Sequence, residues 1–167
     1  ALEAAKKEAV NQALENKGVI DIKVKQMEDA KVVADQTVTK ALTAQTNTKS
    51  LVDTAQIQKK AADKEVEDAV AVVQNATVAL NDANDVGDTD EITSSQNAKN
   101  AAEDSLVSYQ DSQTNAQIAL DTAKSEKNAA DTNVRSAITK QTEVGSNLVK
   151  VKVEQTNASD AIKTLTE

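Results

Sequence analysis

The residues best placed to do chemistry in this chain crowd around position 87. Asp82, Asn84, Asp85, Asp88, Asp90 and Glu91 offer oxygen donors of the kind calcium prefers, and Gly87 stands where a calcium loop would turn. The EF-hand spacing nevertheless fails, because Val86 takes a ligand position and Thr93 stands where a bidentate Glu is required. A solvated acidic turn accounts for the cluster, and no metal or other cofactor is expected. With no His and no Cys, the chain lacks the commonest general base, the commonest metal ligand and the thiol nucleophile. Carboxylates or lysines in a pocket would be the remaining route to catalysis, and paired helices provide no such pocket, so the chain is not expected to be an enzyme. Thr37 with Thr48 and Thr43 with Thr54 recur at 11 residues, the spacing of an ice-binding helix face, but the pattern stops there. Asn75-Ala76-Thr77 and Asn157-Ala158-Ser159 match the glycosylation acceptor pattern in a chain rich in Asn, Ser and Thr, where chance matches are expected.

The elements that would carry these residues are helical. One series in sevens reads Ile20, Met27, Ala34, Ala41, Thr48, Ala55, Ala62, Ala69, Ala76, Ala83, interleaved with Val24, Lys31, Val38, Gln45, Val52, Lys59, Val66, Val73, Leu80. Beyond the acidic break the pattern resumes as Ile92, Lys99, Leu106, Gln113, Leu120, Lys127, Val134, Gln141, Leu148, Gln155, Ile162 and Ser95, Ala102, Tyr109, Ala116, Ala123, Ala130, Ala137, Val144, Val151, Ala158, Leu165. Apolar residues at heptad positions a and d, sustained this long, specify helices that supercoil around each other. No Pro, three Gly, no Phe or Trp and one Tyr leave few helix breakers and none of the large anchors of a globular core.

The expected fold is all-α, a long antiparallel coiled-coil hairpin with an alanine-rich core. It forms a single domain over residues 1–167, with one helix over residues 2–84, an acidic turn over 85–90 and a second helix over 91–166. Each helix would run about 110–120 Å at 1.5 Å per residue, with Thr89 or Asp90 capping the second. A fold-back near Gly87 pairs residues whose numbers sum to about 174, which sets Gly18 and the alternating stretch 19–25 beside Gly145 and 148–154. Those stretches would also suit a short β-ribbon, although Ile20, Val24, Leu148 and Val151 keep the heptad phase; helix with a local kink or a widening of the core is expected there. The competing architecture is a compact bundle of three or four helices broken near Gly18, Thr46-Asn47-Thr48 and Gly145. Lys or Gln recurs at a in every second heptad, which suggests growth by duplication of a helical unit.

Several functional expectations follow. A net charge of −8, dispersed Lys and a single Arg argue against binding nucleic acid. No apolar run approaches the ~20 residues a membrane span needs, so no membrane insertion is expected. Val70, Val72 and Val78 lie outside the a/d stripe and form a candidate partner surface near the turn. A protein partner or self-association is expected, and a glycan is a further candidate. The Lys-rich, Arg-poor, Thr- and Asn-rich, aromatic-poor composition resembles alanine-rich helical regions of microbial surface proteins. That resemblance implies a structural spacer or stalk at the cell surface or outside the cell; a helical binding module, adhesin- or antigen-like, is the alternative.

Overall fold

The computed structural model of the chain describes residues 2–167. Two α-helices make up the fold, α1 over Leu2–Val86 and α2 over Thr89–Thr166, packed against each other as an antiparallel hairpin. Both helices pass unbroken through Gly18, Thr46-Asn47-Thr48 and Gly145, and no strand occurs among the described residues. The compact bundle and the β-ribbon are therefore both excluded, and period-two alternation at 19–25 and 148–154 yields to the heptad phase. Numerous Ser and Thr residues sit inside these helices at no loss of hydrogen bonding: hydroxyls such as those of Thr37, Thr54, Thr122 and Thr142 donate to the carbonyl four residues back.

The reversal is tighter than the six residues expected. Helix α1 continues through Val86, and only Gly87 and Asp88 separate it from α2. Gly87 has φ +81°, a left-handed conformation at which a Cβ is costly, and its N–H donates to the Ala83 carbonyl at 3.0 Å. Asp88, rather than Thr89 or Asp90, caps α2: its Oδ1 accepts from the N–H groups of Asp90 at 2.9 Å and Glu91 at 3.2 Å. Asp88, Asp90 and Glu91 thus serve the start of α2, where the helix dipole favours negative charge.

The chain divides into two compact units, the first built from Ala1–Gln45 with Ala130–Glu167 and the second from Thr46–Ala129. In the first unit the buried residues are Ile20, Val24 and Ala34 of α1 with Ala130, Val134, Ala137, Val144 and Leu148 of α2. In the second they are Val52, Ala55, Ala62, Ala69 and Ala83 with Ala102, Leu120 and Ala123, of which Val52, Ala55, Leu120 and Ala123 form one cluster. Each of these residues stands at an a or d position of the heptad register, and none is polar. Tyr109 also falls at d but stays 39% exposed, because the facing d layer holds buried Ala62 and has no room for a ring. Chain entry and exit meet in the first unit, where Glu3, Lys6, Lys7 and Val10 line one shallow pocket with Leu165 and Thr166.

Replacing Leu120 by Asp buries a charge in the cluster and is expected to lower stability by about 2–4 kcal/mol with loss of helicity. Ile57→Asp, on a side chain 72% exposed, changes stability by less than about 0.5 kcal/mol. Thermal melts followed by circular dichroism compare the two directly.

Candidate functional site

The lysines and glutamines of the a positions do not point away from the seam. Lys17, Lys31, Lys59, Gln45, Gln113, Gln141 and Gln155 each meet an aspartate placed four residues after a lysine, at position e, just beside the seam. In the first unit Lys17 Nζ donates to Asp21 Oδ2 at 2.6 Å, and Gln155 Nε2, from the other helix, donates to Asp21 Oδ1 at 2.7 Å. The arrangement recurs two heptads on, where Lys31 Nζ donates to Asp35 Oδ2 at 2.7 Å and Gln141 Nε2 to Asp35 Oδ1 at 2.8 Å. In the second unit Lys59 Nζ bridges both oxygens of Asp63 at 2.5 and 2.6 Å, while Gln113 Nε2 reaches Oδ1 at 2.7 Å. One layer of the first unit has the reverse polarity: Gln45 of α1 donates to Asp131 Oδ1 of α2 at 2.8 Å.

These lysine–aspartate–glutamine layers explain how polar groups fit a narrow seam. In the Asp21, Asp35 and Asp63 layers the carboxylate receives one charged and one amide donor. No buried side-chain nitrogen or oxygen among the described residues lacks a partner. The lysine ammonium beside each of Asp21, Asp35 and Asp63 holds its carboxyl below the usual 3.8, and the glutamine amide adds to the effect. Position 103, where Lys99 pairs with Glu103 in the second unit, departs from the pattern. The residue answering to the glutamine there is Val73, and no amide crosses.

Register is the property these layers can specify. The four glutamine–aspartate bonds obey one rule, residue numbers summing to 176: 21 with 155, 35 with 141, 45 with 131 and 63 with 113. Slipping one helix by a heptad sets Gln or Lys against Val and Leu, at the cost of an unpaired polar group. A slip of two heptads would restore polar against polar if all layers had the same polarity. The reversed layer prevents that, since it sets Gln45 against Gln141 with no carboxylate between them.

The candidate partner residues lie in the second unit on α1, at 37% exposure for Val70, 55% for Val72 and 58% for Val78. Helical geometry does not gather them onto one face. At about 100° per residue, Val70 and Val72 stand about 160° apart and Val70 and Val78 about 80° apart. Val70 borders the seam at e, Val72 borders it on the other side at g, and Val78 faces outward at f. The polar layers were legible in sequence as recurrent Lys and Gln at a; their aspartate partners were not, because an acid at e reads as ordinary surface charge until the partner helix is in place.

A charge–pH prediction follows from the three aspartates. A depressed folded-state pKa contributes stability that is fully present above the unfolded value of about 3.9 and is lost as pH falls through the folded value. Melting temperature is expected to hold steady from about pH 8 to pH 5 and to fall below about pH 4. The variant Asp21→Asn, Asp35→Asn, Asp63→Asn should melt lower at pH 7 and show a shallower acid decline; an unchanged decline would contradict the role given to these layers. No protein-family model matches the chain, and no curated protein matches it.

Proposed function

We propose that the chain is a non-enzymatic structural coiled-coil spacer or stalk segment of a microbial cell-surface protein, displayed outside the cell. The observation that carries this reading is that the buried residues among those described are aliphatic and lie at a and d positions of the helix seam, crossed by polar layers that specify its register. Such a sequence invests in holding two helices in one alignment. The surface-protein setting rests on composition: Lys in place of Arg, abundant Thr and Asn, and almost no aromatic residues. No helix among the described residues is long and apolar enough to cross a membrane.

A helical binding module that engages a protein or glycan partner through a helix face or the turn is the second reading, favoured by the exposure of Val70, Val72 and Val78. The two readings separate on shortening. Deleting 46–59 together with 113–126 removes two heptads from each helix and keeps the a-layer pairing, whose numbers sum to 172. In the surface-displayed parent protein a spacer predicts a graded change in the reach of whatever it carries. A binder predicts abrupt loss of partner capture, reproduced by Val70→Ser, Val72→Ser, Val78→Ser with circular dichroism unchanged. Capture abolished by the serine variant alone would overturn the spacer reading.

A further inference from the structure

The two sides of the helix pair differ. The polar layers open on the side of positions a, e and b. The opposite side, formed by d, g and c, is a groove floored by alanine. In the first unit Ala30, Val33, Ala34, Thr37, Ala137 and Lys140 line a cavity of about 310 Å³ there. In the second unit Leu51, Thr54, Ala55, Ala119, Ala123 and Glu126, again d, g and c residues, line one of about 420 Å³. Both grooves are shallow, apolar at the floor and edged by longer side chains.

Charge distinguishes the two grooves. The first unit contains twelve basic and twelve acidic residues and is neutral; the second contains seven basic against fifteen acidic and so carries the entire net charge of −8. The g and c positions sharpen the contrast. Along the groove of the second unit they present Glu65, Asp68, Asp82, Glu91 and Glu126 with no lysine. Along the groove of the first unit they present Lys23, Lys40, Lys140 and Lys150 against Glu143 and Glu154. Lys23, Lys150, Glu65 and Glu126 are all exposed. Two acidic grooves repel each other, whereas a basic-edged groove and an acidic-edged one attract.

We infer that a second copy of this chain is the partner of these grooves, with the alanine-floored groove of the first unit in one copy docking on that of the second unit in the other. Small residues at d, g and c let the helices of the two copies approach closely, as ridges of one pair enter the groove of the next. Exposed Val33 at c and Leu51 at g become covered, and the Lys and Glu edges form the polar rim that fixes which unit meets which. The lysine-edged groove of the neutral first unit and the acid-edged groove of the second select unlike pairing over like. This inference concerns association alone and holds whether the chain is a spacer or a binding module.

Sedimentation equilibrium of the intact chain over a wide concentration range, at low and at high salt, tests it. The expected result is mass above the monomer that grows with concentration and weakens as salt screens the rims. Glu65→Lys with Glu126→Lys should weaken association at least about tenfold, as should Lys23→Glu with Lys150→Glu, each with unchanged helicity. The chain carrying all four reversals should regain association, since complementarity is restored with the signs exchanged. A strict monomer at every concentration would overturn the inference and leave the grooves to some other occupant. So would association indifferent to both reversals, or failure of the fourfold variant to recover.

Discussion

Everything in this molecule depends on how little side chain separates the two helices. Alanine fills most d positions, and the alanines buried there are 2–8% exposed, so an alanine layer contributes far less apolar area than a leucine layer, for which burial of one side chain is worth about 1.5–3 kcal/mol. Stability must then accumulate over many weak layers, and weak layers discriminate poorly between one alignment and the next. A seam of alanine and valine alone would be nearly indifferent to sliding. The polar layers answer that problem. They give up apolar area at every second a position and gain an alignment that only one set of partners satisfies.

The orientation of the ion pairs supports this view. Lys17–Asp21, Lys31–Asp35, Lys59–Asp63 and Lys99–Glu103 all place the base four residues before the acid. That order is the less favourable one for an isolated helix, in which an acid toward the N-terminal side complements the dipole better. Half-exposed pairs of this kind contribute little by themselves. The order becomes intelligible from the partner helix, because it sets the carboxylate within reach of a glutamine amide crossing the seam at 2.7–2.8 Å. Selection of register, rather than strength of the pair, accounts for the sequence at these sites.

Heptad spacing made most of the fold readable in the residues themselves. The buried set falls on the a and d series because the period of apolar residues is a direct image of the helix face that meets a partner. The central reversal was equally plain from Gly87 among aspartates. Three features escaped for physical reasons. The turn is shorter than its composition implies because Asp85 and Val86 remain in α1 and Thr89 and Asp90 already belong to α2, and Asp88 rather than its neighbours finds the free N–H groups of α2. Tyr109 keeps the phase of a core residue but not the volume its layer can hold. The aspartates at e resemble any solvated charge, and their role depends on a residue about 50–134 positions away in sequence. Of the candidate surface, exposure was legible and clustering was not, since three valines within nine residues of a helix point in different directions.

Register-selective cross-linking tests the central claim most directly. Val52→Cys with Leu120→Cys joins two members of the buried cluster in the second unit, whereas Val52→Cys with Leu106→Cys pairs positions that meet only after a two-heptad slip. Under mild oxidation of dilute protein, the first pair is expected to close rapidly within the chain and the second not at all. Comparable closure of both pairs would show that the helices slide and that the polar layers do not set the alignment.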